Sequence, residues 1–410
     1  MRPLYTAAIR LYAAAVHAAV PFHGKARKMI DGRRSIDDVL REKIVPGARY
    51  VWLHAASLGE FEQGRPLLEA IRQRHPDYKI VLTFFSPSGY DVRRNYPGAD
   101  VVCYLPFDFP RRIRAFLDRV RPTLALFVKY EFWLNTLDEL RRRRVPTYLV
   151  SGIFRPGQLF FRPIGRPYRD ALRCFNRLFV QDETSRQLLA SIGLTNVTVT
   201  GDTRFDRVID IRHAARPLPV VAAFAERDAR PVLIAGSSWP EDEALLIPYF
   251  NAHPDLKLIL APHEIHEAHL AAIEARLTRP ALRLSRADAN TAAGVDCLIV
   301  DSFGLLSSIY RYARIAYIGG GFGHGIHNAP EAAVYGVPVL FGPNHHKFRE
   351  ALDLIACGGA YSITDVSTLA ARLDALLADP DACTAAGESA GAYIQQHSGA
   401  TEQILRAIDL

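Results

Sequence analysis

Tyr317-Ile318-Gly319-Gly320-Gly321-Phe322-Gly323-His324-Gly325-Ile326-His327-Asn328-Ala329-Pro330-Glu331-Ala332-Ala333 is the stretch that decides the fold class of this chain. The apolar run 315–318 reads as a buried strand. It empties into five glycines within seven residues. Asn328 then offers a helix N-cap, Pro330 suits the first helical turn, and Glu331 follows in that turn. A strand, a glycine-rich loop and a helix start are a common means of holding a phosphate: glycines admit close backbone approach, and the helix end adds free N–H donors and partial positive charge. The competing reading is a tight strand-to-helix turn with no ligand. No G-x-G-x-x-G can be laid over 319–325 and no Gly-Lys-Ser/Thr follows, so neither the dinucleotide fingerprint nor a P-loop is present.

Outward from this stretch, strand, loop and helix alternate along the chain. Short apolar runs at 50–54, 79–84, 101–104, 124–128, 147–151, 177–181 and 197–200 are separated by helical patterns. After a change of character between 203 and 228, the alternation resumes with runs at 232–235, 257–261, 282–284, 297–300, 315–318 and 338–341. Such alternation predicts parallel sheets with helices on both faces. The expected α/β architecture is two Rossmann-like domains facing across a cleft. They cover 35–202 and 229–385 and are joined by a linker, 203–228. A C-terminal helix over 386–410 crosses back to the first domain. Ligands in such sheets bind beyond the carboxyl ends of the strands, so the loops after strands are where chemistry belongs.

The chain has 410 residues, 49% hydrophobic and 23% charged, with a net charge of +7. That composition describes an ordinary globular protein and favours an anionic partner. Aromatics do not interleave with basic runs, so nucleic acid is not the expected partner. The five cysteines are scattered. No CxxC or Cys/His cluster suggests zinc, and free thiols in a reducing compartment are expected. At the N-terminus, Pro3 to Phe22 is apolar and alanine-rich, interrupted by Arg10 and His17, and is followed by Lys25, Arg27, Lys28, Arg33 and Arg34. Residues 1–34 fit a membrane-associating helix with a basic flank. A surface helix with an ordinary charged flank is the alternative.

Two loops of the first half offer ionisable groups. His54-Ala55-Ala56-Ser57-Leu58-Gly59-Glu60 follows a strand and opens a helix. Glu60 there is either a general base or the far half of a Ser57-x-x-Glu60 capping box. Lys129 and Glu131 sit just past an apolar strand, where they can meet substrate or pair with each other. Arg141 to Arg144 read as complementing a helix C-terminus. In the second half, Gly236-Ser237-Ser238 after a strand suits an anion or plain capping. His263-Glu264 and Asp301-Ser302-Phe303-Gly304-Leu305 also follow strands. Glu331 either complements its helix or holds two ribose hydroxyls. Asp379-Pro380-Asp381 reads as a turn, and no metal site stands out.

Together these loops resemble the 3-deoxy-D-manno-octulosonic acid (Kdo) transferases of lipopolysaccharide biosynthesis, glycosyltransferase family 30. The likeness covers nearly the whole chain. It is carried by Trp52-Leu53-His54-Ala55-Ala56-Ser57-Leu58-Gly59-Glu60, Glu131-Phe132-Trp133-Leu134-Asn135, Gly201-Asp202-Thr203-Arg204-Phe205-Asp206, the 319–332 stretch and Pro338-Val339-Leu340-Phe341-Gly342-Pro343. The resemblance implies a GT-B glycosyltransferase with an N-terminal acceptor domain and a C-terminal donor domain. It would move Kdo from CMP-Kdo to a lipid A precursor of lipid IVA type, inverting the anomeric centre. The implied setting is the anionic inner-membrane surface at its cytoplasmic face, with no cofactor and no metal. Glu60 matches the family's catalytic base. Ser57, Gly59, Lys129, Glu131 and Arg204 are the acceptor-side candidates. Ser237, His263, Gly304, Asn328 and Glu331 fall where the family binds CMP, and Ser238, Glu264, Leu305, Gly320, Gly321, Gly323 and His324 complete the donor-side set. In the family's best-known branch Lys129 would be a glutamate, Arg204 a lysine, and His263-Glu264 an arginine-histidine pair. The other readings are a UDP-sugar-dependent GT-B transferase or 2-epimerase and, from another class, a membrane-surface sugar-nucleotide binding module without turnover.

Overall fold

The computed structural model describes residues 2–323, 325–408 and 410, apart from the side chains of Arg2, Arg166 and Pro167. The chain divides into two units: the first runs up to Asp206 and regains Ser398–Leu410, and the second is Arg207–His397.

Unit 1 is built on seven strands: β1 (Arg49–Ala55), β2 (Tyr78–Phe84), β3 (Val101–Tyr104), β4 (Pro122–Val128), β5 (Thr147–Gly152), β6 (Arg177–Val180) and β7 (Val197–Val199). They lie in the order β3-β2-β1-β4-β5-β6-β7, and all neighbours are parallel. The central strands are continuous apolar runs because helices cover both faces. In β1, Tyr50 and Trp52 pack into one core with Phe116 and Phe127. Val51 and Leu53 point the other way, into a second core with Phe61, Phe84 and Val128, as the two-residue period of a strand requires.

Three helices, Arg2–Ala19, Gly24–Arg34 and Ile36–Lys43, precede β1. No helix among the described residues is long and apolar enough to cross a membrane. Arg33 does not belong to the exposed basic flank. Its guanidinium is buried over the rings of Phe85, Tyr104 and Phe107, at 4.7, 5.1 and 4.5 Å. It donates to the carbonyls of Met29 and Phe85. The flank therefore presents Lys25, Arg27, Lys28 and Arg34.

Unit 2 repeats the plan with β8 (Val232–Ser238), β9 (Lys257–Pro262), β10 (Ala281–Arg283), β11 (Cys297–Ile299), β12 (Ile315–Ile318), β13 (Val339–Phe341) and β14 (Ala360–Ser362). The order is β10-β11-β9-β8-β12-β13-β14, again parallel throughout. The stretch expected to be a linker is largely helical: Thr203–Ala214 runs through the boundary between units, and Pro219–Ala225 buries Val221 and Phe224. The buried Lys257 ammonium donates to the carbonyls of Phe224 and Ala225 and so closes that second helix onto unit 2. The C-terminal segment is two helices rather than one. Pro380–Gln396 stays in unit 2 and Ala400–Ala407 belongs to unit 1. The break is at Gly399, with φ +96°, a conformation open to glycine. Strand order reverses between β1 and β4 in unit 1 and between β8 and β12 in unit 2, and such switch points are where open α/β sheets bind ligands.

Candidate functional site

At the unit 1 switch point, β1 and β4 run in register with His54 beside Phe127. The helix Leu58–Arg74 opens directly after β1, and Ser57 is its N-cap. The Ser57 amide donates to Glu60 Oε2 at 3.0 Å, and the Ser57 hydroxyl donates to the same oxygen at 3.3 Å. The capping geometry is thus present. It holds Glu60 half-buried at the carboxyl end of the sheet. Burial raises the proton affinity of Glu60 and the neighbouring Glu131 carboxylate raises it further, while His54, Lys129 and the Ser57 amide oppose the rise. Gly59 is exposed, and a side chain there would meet nothing within 4 Å, so packing alone does not ask for glycine.

Behind Glu60 lies a buried relay. His54 Nε2 is 2.9 Å from Glu131 Oε2, and Trp133 Nε1–H donates to the same oxygen at 2.6 Å. His54 Nδ1 is 2.9 Å from the Thr83 hydroxyl and 3.2 Å from the Thr83 carbonyl oxygen. Trp52 Nε1–H donates to the Thr83 hydroxyl at 2.8 Å. With the ring proton on Nε2, His54 Nδ1 accepts a hydrogen bond from the Thr83 hydroxyl. Nε2–H then donates to Glu131 Oε2. Lys129, next after β4, adopts φ +64°, a conformation costing a non-glycine residue about 1–3 kcal/mol and found most often at functional sites. Arg204 is held by Asp202 through its Nε at 2.9 Å and a terminal nitrogen at 2.7 Å. Gln63, on the same helix as Glu60, donates to Asp202 at 3.1 Å. Burial alone would raise the Asp202 pKa, but Arg204 and the charge of Lys129 hold it below the usual carboxylate range. Ser57, Glu60, Lys129 and Glu131 therefore share one switch point, and Arg204 joins them through Asp202 and Gln63.

At the unit 2 switch point, Ser237, the penultimate residue of β8, has φ +54°, as Lys129 just past β4 has a positive φ in unit 1. Ser238 is buried, and its hydroxyl donates to Glu243 at 2.9 Å, so that side chain faces the core. Trp239, His263 and His327 form a stack: ring centroids are 4.6 Å apart for Trp239–His263 and 4.5 Å for His263–His327. Trp239 Nε1–H donates to His327 Nε2 at 3.1 Å, which leaves the ring proton of a neutral His327 on Nδ1. Burial, and then the proximity of His263, lower the His327 pKa to about 4. Glu264 turns away from the stack, toward His266 at 3.4 Å.

The glycine loop is more self-contained than its sequence suggests. A Cβ on Gly319 would lie 2.2 Å from the Ser237 carbonyl oxygen, and one on Gly321 would lie 2.5 Å from the Gly342 nitrogen. Gly320 has φ +90°, and its amide donates to the buried Asp242 at 2.8 Å. The amides of Gly319, Gly323 and Gly325 donate to backbone carbonyls. Several donors expected to face a phosphate are therefore engaged inside the fold. The helix after the loop has four residues, Pro330–Ala333, and its N-cap is Ala329. Asn328 instead donates through Nδ2 to Glu331 Oε1 at 2.7 Å, and Ser307 donates to Glu331 Oε2 at 2.7 Å. That bond draws the loop of Gly304, which has φ +88°, and Leu305 toward Glu331. His324 lies outside the described residues. Among those described, no group of three or more His, Cys, Asp or Glu side chains is placed to hold a metal ion.

Sequence reasoning missed His54, Thr83, Trp133, Gln63 and Asp202 in unit 1, and Trp239, Asp242, Ser307 and His327 in unit 2. A histidine closing an otherwise apolar strand, and an aspartate three residues past Trp239, were available signals. The pairing of distant side chains was not.

The family model described as 3-deoxy-D-manno-octulosonic-acid transferase (kdotransferase) matches residues 30–207. The 3-deoxy-D-manno-octulosonic acid transferase of Bordetella pertussis is 31% identical over 383 residues, covering 89% of this chain and 88% of that protein. That of Haemophilus influenzae is 24% identical over 373 residues, covering 88% and 86%. Among solved structures, a UDP-GlcNAc 2-epimerase from Neisseria meningitidis bound to UDP-GlcNAc superposes with a TM-score of 0.59 at 13% identity, covering 87% of this chain and 98% of that one. The same fold appears in the UDP-GlcNAc 2-epimerase of Methanocaldococcus jannaschii, with a TM-score of 0.55 at 13% identity, covering 85% and 99%. Two parallel α/β sheets of seven strands each are the GT-B class of fold. With a curated relative above 30% identity along almost its full length, this chain belongs to the 3-deoxy-D-manno-octulosonic acid transferase family, glycosyltransferases of lipopolysaccharide biosynthesis.

Proposed function

We propose that the protein moves Kdo from CMP-Kdo to a lipid A precursor of lipid IVA type with inversion, and that Glu60 is the general base. The observation that carries this reading is Glu60 itself: a carboxylate fixed by Ser57 at the unit 1 switch point, with its proton affinity raised by burial and by Glu131. An acceptor hydroxyl attacks the anomeric carbon of Kdo and its proton passes to Glu60. The bond from that carbon to the phosphate oxygen breaks, and its electron pair leaves with CMP. A positioned base of this kind contributes about 10²–10⁴-fold in rate. Lys129 and Arg204 supply cations for an acceptor phosphate, and Ser57, Gly59 and Glu131 shape its approach.

On the donor side the ligands are Ser237, His263 and the His327 Nδ1–H, together with the loops at Gly304-Leu305 and Gly320, Gly321 and Gly323. Glu331 holds the ribose hydroxyls. Its oxygens already accept from Asn328 and Ser307, and a carboxylate oxygen can accept more than one hydrogen bond. No metal enters this reading. The protein acts at the cytoplasmic face of the inner membrane, docked by the helix Arg2–Ala19 and the cations that follow it.

The test is incubation of purified protein with CMP-Kdo and a tetra-acylated lipid A precursor, read by mass spectrometry. The expected result is one or more Kdo mass increments on the lipid, lost in Glu60→Ala while CMP binding persists. Consumption of UDP-sugars in place of CMP-Kdo would overturn the reading.

A further inference from the structure

A cavity of about 520 Å³ opens in unit 1 between the N-terminal helix Arg2–Ala19, the helix Leu134–Arg142 and the helix Arg166–Leu172. Its walls are mainly apolar, with Leu4, Tyr5, Ala8, Leu134 and Ala171, and carry Asp138, Arg141 and Asp170 at their polar side. The volume lies within the range of small-ligand sites, about 300–1,000 Å³. Arg141 and Cys174 also line a second cavity, of about 300 Å³, whose other walls include Arg144 and Arg173. An apolar chamber thus shares a wall with an arginine cluster. Arg141 faces Asp138 at 3.3 Å and Arg173 faces Asp170 at 2.9 Å. Arg144 has no ion-pair partner among the described residues, so the cluster keeps an excess of positive charge.

Two further observations narrow the occupant. The N-terminal wall is anchored, not loose: the Tyr5 hydroxyl donates to Asp108 at 2.7 Å, and Asn135 Nδ2 donates to the Thr6 hydroxyl at 3.2 Å. Yet the same helix and its exit leave Leu4 77%, Leu11 73% and Phe22 83% exposed, and Ile164, just before the Arg166–Leu172 helix, is 78% exposed. Leu4 lines the chamber itself, and further apolar side chains held out into solvent along its helix fit a lipid surface. Arginines at the chamber's rim fit the phosphate of a lipid headgroup.

We infer that this paired cavity is a binding site for one anionic bilayer phospholipid, with an acyl chain in the apolar chamber and its phosphate on Arg144, Arg173 and Arg141. The occupant is a bilayer lipid, not the acceptor. The helix Leu134–Arg142 begins beside the Glu131 loop and carries Arg141 to its other end. Arg141 is about 10 Å from Leu134 at 1.5 Å per residue, and since Leu134 also lines the chamber, competition with the acceptor is the outcome that would overturn the assignment. The site deepens the reading that unit 1 works at a membrane surface and is independent of which sugar is transferred.

The experiment uses the full chain, delipidated in detergent and exposed to vesicles of phosphatidylglycerol or of phosphatidylcholine. Retained lipid is counted by native mass spectrometry, and vesicle binding is followed by co-sedimentation. Wild type is expected to retain one phosphatidylglycerol and no phosphatidylcholine. Ala8→Trp, which plugs the chamber from an exposed helix position, is expected to cut retention at least tenfold while still sedimenting with phosphatidylglycerol vesicles and melting like wild type. Arg144→Glu with Arg173→Glu is expected to lose retention with detergent-phase transferase activity unchanged. Undiminished retention in Ala8→Trp, equal retention of the two lipids, or a rise in acceptor KM as phosphatidylglycerol is added would overturn the site. Vesicle binding without any retained lipid would overturn it while leaving the membrane reading intact.

Discussion

At the β1/β4 switch point the polar groups are ionisable and face one another: Glu60, Glu131, His54 and Lys129, with Asp202 and Arg204 beside them. At the β8/β12 switch point they are ring nitrogens, a hydroxyl, backbone amides and a glutamate already bonded to Asn328 and Ser307. The first arrangement suits the movement of a proton, because the charge on each group depends on its neighbours. The second suits recognition, because its donors and acceptors are held in place by hydrogen bonds and ring stacking. Both ends hold a non-glycine residue in the left-handed region, Lys129 and Ser237. Only the second needs glycines for close backbone approach: Gly319 against Ser237 and Gly321 against Gly342. In the function proposed here, one fold plan thus yields a reactive end and a binding end from different loop chemistry.

The division between the two ends breaks if a proton-side change disturbs binding. Glu60→Gln is expected to lower kcat by about 10²–10⁴-fold, with the calorimetric affinity for CMP unchanged within twofold; a parallel loss of CMP binding would erase the distinction. On the binding side, Gly319→Ala is expected to destabilise the protein by more than about 2 kcal/mol, because its Cβ meets rigid backbone rather than a movable side chain. Gly323→Ala, where a Cβ meets nothing within 4 Å, should stay within about 0.5 kcal/mol in the same denaturant titration. Asp242→Asn probes the brace of the glycine loop. The carboxylate accepts from Gly320, Trp239 and Tyr317 at 2.8, 2.9 and 2.7 Å. An amide NH₂ facing any of those donors should cost about 1–3 kcal/mol, with weaker CMP binding and an unshifted pH profile.

Much of this was legible in the chain. Buried parallel strands are continuous apolar runs, so β1 to β13 stand out from the helices between them. β14 does not: Ala360-Tyr361-Ser362 lacks the β-branched residues that mark the equally short edge strand Val197-Thr198-Val199. The Ser57-x-x-Glu60 spacing announces a cap, and the structure forms it. The glycine stretch announces close backbone approach, and that too is found. The internal use of its amides was hidden because the acceptor, Asp242, lies 78 residues away from Gly320. The His54–Glu131 pair, 77 residues apart, was hidden for the same reason. Local spacing reports caps and turns, while contacts across the sheet depend on strand order, which spacing does not carry.

The most direct measurement is the pH dependence of kcat/KM for wild type, Glu131→Gln and Lys129→Gln. Glu60 accepts a proton only when ionised. Its raised pKa therefore makes activity fall, as pH is lowered, earlier than an ordinary glutamate would, from above about 4.3. Glu131 raises that pKa and Lys129 lowers it. The acid limb is thus predicted to move to lower pH in Glu131→Gln and to higher pH in Lys129→Gln. Superimposable acid limbs in all three proteins would contradict the claim that these side chains set the proton affinity of Glu60, the proposed base.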